Sequence, residues 1–402
     1  MNFSKSEIAT YLFCATLPST KTPPLTIIEW NTLVTSLANY NSYPEVLLHL
    51  SEEELSTILS NSAPAQKERI IKKVLARRQL GIAMVELEEI ANQGFNVIFR
   101  SQMPKRLKRL ELKLRPAFYY SVGDLNILNS EHTLGVVGAR DAKQEELAQV
   151  YEICKQAAYY NIVVVSGGAA GVDSTATNAA LENGGRAVIF PSVGIGSLIK
   201  NKATRNYIQN GQLLILSTQP IHAAFTGKYA MERNKFIHSA GDAVLVGASQ
   251  ISGTKRSGTW EGVLENIRAQ WSPLYTVGKS IGVLELLKMD KAQPFTSLNN
   301  IYPLHEQLCG IFNQRLQSVI DEGIHAGLSM DTIVQLFQKK MDDFKEIQHP
   351  HVNNKEKSTF DSVKSTDNDG LITVKDELDN EYLQDIEKEK NVSNEQMELE
   401  IE

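Results

Sequence analysis

The stretch Asn161-Ile-Val-Val-Val-Ser-Gly-Gly-Ala-Ala-Gly-Val-Asp173 decides the fold. Residues 162–165 are branched and apolar, which predicts a short strand buried on both faces. A turn at residues 166–168 follows, and a helix is predicted from Gly171 to the glycine pair at 184–185. Glycines allow close backbone approach, and the free N–H groups of a helix start can face an anion. Taken alone, the stretch fits either an anion site or a plain tight turn.

The surrounding sequence alternates strands and helices from Thr133 to Val277. Such alternation predicts an α/β fold with a parallel sheet covered by helices on both faces. The further predicted strands are 134–137, 186–190, 212–216, 243–246 and 274–277, and the helices are 145–159, 204–210, 233–240 and 260–270. Ligands of such sheets bind at the carboxyl ends of the strands. Those ends carry Gly138-Ala-Arg140, Ser166-Gly-Gly168, Pro191-Ser192 and Gly247.

The flanking segments differ in composition. Residues 1–95 have helical spacing, and a single helix is predicted over 64–92. Its cations favour a solvated face, with a secondary phosphate contact as the alternative; they are Lys67, Arg69, Lys72, Lys73, Arg77 and Arg78. Residues 96–99 and 116–120 predict two more strands. The predicted domains are an N-terminal helical domain 1–95, an extended sheet domain 96–295, a C-terminal helical segment 296–345 and a disordered acidic tail 346–402.

Charge is distributed unevenly along the 402 residues. The net charge is −6, but residues 351–402 hold 15 acidic against 6 basic residues, a net of −9. The remaining 35 basic and 32 acidic residues leave the body at +3, which permits nucleic-acid binding. No apolar run approaches a membrane span, so no membrane partner is expected. Three scattered cysteines and no signal peptide favour a reducing cytoplasm.

Motifs for catalysis, metals and cofactors are absent from the sequence. It contains no HExxH, no GxSxG and no Cys/His cluster. Val277-Gly-Lys-Ser280 resembles the end of a P-loop, but Pro273 stands where that motif needs glycine. We therefore expect no catalytic residues, no metal and no cofactor.

Cationic, glycine-containing segments are the positive candidates for a site. Arg140 follows a strand and can hold a phosphate bidentately. Arg233-Asn-Lys235 starts a helix, and Lys255-Arg-Ser-Gly-Thr259 opens another beside two cations. At one edge of the sheet, these segments and the glycine turn predict a basic groove for phosphates.

Four motifs in the same order resemble the DNA-processing protein A (DprA/Smf) family. They are Leu134-Gly-Val-Val-Gly-Ala-Arg140, Val165-Ser-Gly-Gly-Ala-Ala-Gly-Val-Asp173, Glu232-Arg-Asn-Lys-Phe-Ile237 and Ser257-Gly-Thr259. The family's segment before the first strand is similar to residues 103–125, including Pro116-Ala-Phe-Tyr-Tyr120. The resemblance covers about residues 95–295, and the N-terminal helices match the family's helical leader only loosely.

The resemblance implies an extended Rossmann fold that binds single-stranded DNA without sequence preference. It also implies protection of DNA and loading of a RecA-type recombinase during transformation, and a homodimer formed through the Rossmann domain. The DNA-binding residues carried over by position are Arg140, Gly167, Gly168, Gly171, Arg233, Asn234 and Lys235, followed by Ser257, Gly258 and Thr259. Ser166, Lys255 and Arg256, which stand beside these motifs, complete the predicted DNA-binding residues.

Two positions depart from the family pattern. Ala170 stands where a cation is usual, and Lys235 replaces an arginine, which keeps charge but loses the bidentate fork. We therefore identify a divergent member, in which DNA binding is expected to be weaker or the role reassigned.

A nucleotide-binding protein is the competing class. The nucleotide-processing lysine-decarboxylase-like group has GGxGTxxE, whereas Glu261 here follows Thr259 by two residues, about 100° off on a helix. A nucleotide hydrolase that uses Glu261 and a nucleotide sensor, possibly in phage defence, stay as alternatives.

Overall fold

The computed structural model describes residues 3–252, 257–302 and 316–348. Nine strands of this part form one sheet in the order β1-β2-β6-β5-β4-β3-β7-β8-β9. The strands are β1 Asn96–Phe99, β2 Phe118–Val122, β3 Thr133–Val137, β4 Val163–Ser166, β5 Ala187–Ile189, β6 Leu213–Ser217, β7 Ala243–Val246, β8 Leu274–Thr276 and β9 Gln293–Pro294. The α/β class and the predicted strands are confirmed.

Helices alternate with the strands from β3 onward and precede the sheet. The first five are α1 Lys5–Cys14, α2 Ile27–Ala38, α3 Glu52–Ile58, α4 Pro64–Ala76 and α5 Leu80–Asn92. The next eight are α6 Gln144–Tyr159, α7 Val172–Glu182, α8 Ile195–Leu198, α9 Lys202–Gln209, α10 Gly227–Glu232, α11 Asn234–Ala240, α12 Gly258–Ala269 and α13 Ile281–Lys288. Two more follow, α14 over residues 316–325 and α15 Met330–Gln348.

The sheet is parallel from β6 to β9 but not throughout. β2 pairs antiparallel with β6, with Tyr120 opposite Ser217, and β1 pairs antiparallel with β2. The parallel sheet predicted for the alternating segment is confirmed from β3 to β8, and the two strands before β3 extend it at an antiparallel edge. The connector before β3 forms both of these strands. They run antiparallel, as a hairpin-like pair along the edge of β6, because no crossover helix links them.

β4 shows why the apolar run of the glycine stretch becomes a central strand. All four of its residues are buried, and it lies between β3 and β5. Its side chains alternate between the two faces. Val164 belongs to the core formed with α6 and α7, whereas Val163 and Val165 belong to the core on the other face, with Phe236 of α11.

The order of the strands places a crevice at the carboxyl edge. From β3 the chain proceeds through β4 and β5 to β6, then returns to β7 on the other side of β3. Loops that leave β3 and β7 in opposite directions open a crevice between them, the usual ligand position in such sheets.

The helices α1, α2 and α3 begin at capping boxes, and the N-terminal helices share a core with the sheet. At α3 the Ser51 side chain accepts the Glu54 N–H, while the Glu54 side chain accepts the Ser51 N–H. Leu12 and Leu33 are fully buried in a cluster that also contains Ile189 of β5 and Ile215 of β6.

One predicted helix, 64–92, is two helices. α4 ends at Ala76, and α5 begins at Leu80. Arg77 is turned inward and only 2% exposed, and it donates to the carbonyls of Leu12 and Ala15. Lys73 bonds the buried Glu29 at 2.7 Å. The prediction of a solvated basic face was wrong for these residues, because they satisfy buried acceptors.

The chain divides into two units, Met1–Val319 and Ile320–Glu402. In the second, α15 continues to Gln348, three residues into the segment predicted as tail. Residues 349–402, and with them nearly all of the predicted tail, lie outside the described residues, so its disorder stays a prediction.

Candidate nucleic-acid interface

The loops that follow β3 and β4 are held side by side. Gly171 has φ +84°, and a Cβ there would lie 2.5 Å from the carbonyl oxygens of Ala139 and Arg140. The Val172 N–H donates to the Ala139 carbonyl at 3.2 Å. Only glycine fits this left-handed position, so the turn fixes the start of α7 against the loop that carries Arg140.

A cleft of about 680 Å³ opens at this carboxyl edge. Its wall includes the loop after β3, the start of α7, the segment from Phe225 to Asn234 and the start of α12. Of the predicted residues, Arg140, Arg233, Asn234, Ser257, Gly258 and Thr259 line it. Two helices, of 11 and 12 residues, therefore direct their N-terminal partial positive charge toward the cleft.

Arg233 is a buried residue in the wall of the cleft rather than an exposed cation. Its Nη2 atom lies 2.7 Å from Oδ2 of Asp173, and both side chains are less than a tenth exposed. Its Nε and Nη1 atoms are buried without a hydrogen-bond partner in the part of the chain that the structure describes. A methyl group at Gly167 would overlap this guanidinium, so that glycine is needed to admit Arg233.

Arg140 is the exposed cation of the cleft. Its guanidinium carbon lies 5.1 Å from the centre of the Phe225 ring, a cation–π contact. Phe225 is 48% exposed, and it lines the same cleft. Together they present a charge and an aromatic face to solvent at one position.

The start of α12 is tied to α11. The Asn234 side chain donates to the Gly258 carbonyl at 2.8 Å, and Ser257 caps the helix by accepting the Trp260 N–H. Asn234 and Ser257 thus hold the helix start in place, and both residues line the cleft. Lys255 and Arg256, predicted to bind DNA beside them, lie outside the described residues.

Other predicted residues lie near the cleft or away from it. Ser166 is buried, and its hydroxyl donates to the Val136 carbonyl at 2.8 Å. Gly167, Gly168 and Gly171 shape the loop without lining the cleft. Lys235 lines a different cavity, together with Trp30 of α2. The structure therefore does not bring Lys235 to Arg140 and Arg233.

The charges of the cleft nearly cancel among its described residues. Arg140 and Arg233 are balanced by Asp141 and Asp173. Because the Asp173 carboxylate pairs with Arg233, Arg140 and the two helix starts supply the positive field.

The basic connector before β3 lies at the opposite edge. Arg106 and Arg109 both pair with Asp242, which immediately precedes β7. Burial alone would raise the pKa of Asp242, but hydrogen bonds from Arg109 and Thr133 and the charge of Arg106 outweigh it and lower that pKa. This cluster binds the connector to the sheet and adds nothing to the cleft.

The family model described as DNA recombination-mediator protein A matches residues 95–303, more than half of the chain. The chain belongs to this family. The match spans the whole sheet and the loops that build the cleft, and the resemblance seen in the four motifs is thereby confirmed.

A solved structure shares this fold. DNA processing protein A from Streptococcus pneumoniae superposes with a TM-score of 0.53 at 20% identity, covering 74% of this chain and 96% of that one. The Helicobacter pylori protein, whose single-stranded DNA binding mode has been described, gives 0.45 at 23% identity over 53% of this chain and 96% of its own. The molybdenum cofactor carrier protein of Chlamydomonas reinhardtii gives 0.31 at 16%, over 45% and 99%. None of the curated protein sequences compared with the chain matches it.

Three cleft residues with charged or aromatic side chains are not among the predicted site residues: Asp141, Asp173 and Phe225. Asp173 stands in the first turn of α7, and an acid at a helix start close to a predicted arginine site is a usable signal. Phe225 stands in a segment without helical or strand periodicity, so the sequence pattern does not predict its position in the cleft.

The described residues also bear on the hydrolase alternative. They contain no group of three or more acidic, His or Cys side chains able to hold a metal ion. Glu261 is not among the residues that line the cleft, and its neighbour Trp260 is buried in the core. No helix of the described part is long and apolar enough to cross a membrane.

Proposed function

We propose that this family member binds single-stranded DNA in the cleft at the carboxyl edge of its sheet, without sequence preference and without catalysis. Membership of the DNA recombination-mediator family supports the role. The observation that carries the proposal for this site is the Arg140–Phe225 pair, exposed at the mouth of a cleft that two helix starts border.

Each part of the cleft suits one part of a strand. The Arg140 guanidinium can hold a phosphate bidentately, and the N–H groups at the start of α12 can bind another. Phe225 offers an aromatic face on which a base can stack, an interaction worth about 1–3 kcal/mol per base and indifferent to sequence. In a duplex the base faces are not free, so this combination favours a single strand.

The ion pair of the cleft favours a binding function over a catalytic one. The Asp173 carboxylate is held by Arg233, so it is not free to act as a base. The hydrolase alternative requires Glu261. We expect that Glu261→Gln binds DNA as the unmodified protein does, and that neither protein hydrolyses a nucleotide.

In the cell we place this binding in the cytoplasm, in DNA recombination or uptake. Protection of the strand, its transfer to a RecA-type recombinase and homodimerisation through the sheet domain belong to the same proposal, and they rest on the family alone. Sedimentation with and without the recombinase tests both associations.

Titration with labelled oligonucleotides at several salt concentrations tests the strand-binding proposal. Arg140→Ala should reduce the dependence of log K on log salt by about 0.7, because one phosphate contact is lost. Arg186→Ala is the matched control, since Arg186 precedes β5 at the opposite edge and bonds Asn161. Equal effects of the two substitutions, or binding that ignores salt, would refute the proposal.

The stacking role has its own test. Phe225→Ala should weaken binding by about 1–3 kcal/mol with an unchanged salt dependence, because a stacked base carries no phosphate charge. Tyr159→Ala removes an aromatic ring of similar exposure, 53%, at the far end of α6. We expect it to bind like the unmodified protein, and a loss equal to that of Phe225→Ala would contradict the assignment.

A further inference from the structure

Hydrogen bonds join three loops at the carboxyl edge of the sheet, beside the DNA cleft. The Ala139 N–H, in the loop after β3, donates to the Ala248 carbonyl, in the loop after β7, at 2.9 Å. The Ser249 N–H donates to the Ser280 hydroxyl at 2.9 Å, and the Gly282 N–H donates to the Ser249 carbonyl at 2.8 Å. The loop after β8 is thereby fixed against the loop that borders the cleft.

The loops after β7 and β8 continue the surface of the cleft toward β8. Gln250 follows Ser249 directly and lines the cleft. Ser280, the hydrogen-bond partner of Ser249, stands between Lys279 and Ile281. The segment that resembles the end of a P-loop therefore lies next to the cleft, although it lacks the glycine of that motif.

Two exposed isoleucines and an exposed lysine make up this continuation, which we call the β8 patch: Ile251, Lys279 and Ile281. Ile251 is 39% exposed and Ile281 is 59% exposed. No ion pair joins Lys279 to another residue of the described ranges. A left-handed turn at Gly278, where a Cβ would lie 2.8 Å from the Glu146 side chain, fixes the backbone before Lys279. Apolar side chains beside an unpaired cation suit the bases and the phosphate of a nucleic-acid strand.

We infer that the single strand bound in the cleft passes over Gln250 and continues across the β8 patch, an inference that rests on the proposed function. Lys279 binds a phosphate there, and the two isoleucines pack against bases. β8 lies two positions from β3 in the sheet, so the patch is about 10 Å from the strand that leads to Arg140, at about 4.8 Å per position. That distance corresponds to about three nucleotides at about 3.4 Å each. One short strand can therefore contact Arg140 and Lys279 together.

Titration at several salt concentrations tests the inference, with a labelled oligonucleotide of about ten nucleotides, long enough to span both positions. Lys279→Ala should lower the dependence of log K on log salt by about 0.7, which weakens binding about fivefold at about 0.1 M salt relative to about 1 M, and Lys279→Arg should restore both. Ile281→Ala should weaken binding by about threefold to tenfold with an unchanged salt dependence, because it removes apolar contact and no charge. Lys288→Ala and Met289→Ala are the matched controls, because both residues are exposed at the other end of α13, and neither should change binding.

Photo-crosslinking locates the strand directly. With p-benzoylphenylalanine in place of Ile281, irradiation should capture the bound oligonucleotide, and with the same group in place of Met289 it should not. The inference is overturned, and the proposed function stands, if Arg140→Ala weakens binding while Lys279→Ala and Ile281→Ala bind like the unmodified protein. Absence of capture at position 281, or equal losses in the control variants, would overturn it in the same way. If Arg140→Ala also binds like the unmodified protein, the proposed function fails with it.

Discussion

Replacing Asp173 by asparagine separates the structural role of the buried ion pair from the role of Arg233 in the cleft. The substitution keeps the size of the side chain and removes its charge. Arg233, less than a tenth exposed, then keeps a buried positive charge whose Nε and Nη1 atoms already lack partners among the described residues. Breaking a buried pair in this way costs about 3–5 kcal/mol. Because asparagine can still accept a hydrogen bond, we expect a loss at the lower end of this range, about 3 kcal/mol. The melting temperature should then fall by about 6–12 °C.

The assay is thermal unfolding with and without a saturating oligonucleotide. In Asp173→Asn a phosphate can replace the missing carboxylate, so the oligonucleotide should raise the melting temperature more than in the unmodified protein. A ligand at a hundred times its dissociation constant stabilises by about 2.7 kcal/mol, so the difference is measurable.

Asp242→Asn is the control for this experiment. Asp242 pairs with Arg106 and Arg109 at the amino edge of the sheet, so its substitution should also lower the melting temperature. The oligonucleotide should stabilise this variant no more than the unmodified protein. If both variants respond equally to the oligonucleotide, or if Asp173→Asn melts like the unmodified protein, the reasoning about Arg233 is wrong.

Substitutions at Gly167 and His238 probe the surroundings of Arg233. Gly167→Ala should lower the free energy of unfolding as Asp173→Asn does, because its methyl group displaces Arg233. The double variant should lose little more stability than either single variant. Gly81→Ala in α5, which has open space around it, is the control and should be neutral or stabilising in chemical denaturation. Burial, and then the charge of Arg233, lower the pKa of His238 to about 3. As pH falls below about 6.5 only the unfolded chain gains this proton, so stability should decline toward pH 3 by about 1.4 kcal/mol per unit, and His238→Gln should remove that slope in denaturation measured across pH.

The arrangement of the sheet followed from sequence because its determinants are local and strong. Residues 162–165 form an unbroken apolar run, and a strand with both faces covered needs one. The glycine turn was equally readable, since Gly171 occupies a left-handed position against the Ala139 carbonyl. Both features depend on the chain's own backbone, so the sequence alone was sufficient.

Side-chain directions in the α10–α11 segment could not be read in the same way. Asn234 and Lys235 are consecutive residues of α11, and consecutive residues of a helix point about 100° apart. Neighbours in one motif therefore face two cavities: Asn234 faces the cleft, and Lys235 faces the cavity that Trp30 also lines. The break after Ala76 has a similar origin, because distant carbonyls of Leu12 and Ala15 hold Arg77.

The exposed Ala170 shows how these features bear on affinity. The family pattern expects a cation at this position, and here the loop offers only its backbone. Arg233 does not compensate, because Asp173 already neutralises it. Among the described residues that line the cleft, Arg140 is therefore the cation that can bind a phosphate, and its guanidinium contacts the Phe225 ring. Each phosphate contact adds about 0.7 to the salt dependence, whereas a stacked base adds none. Binding in this member should therefore depend less steeply on salt, and more on Phe225, than in a relative with arginine at the position of Ala170.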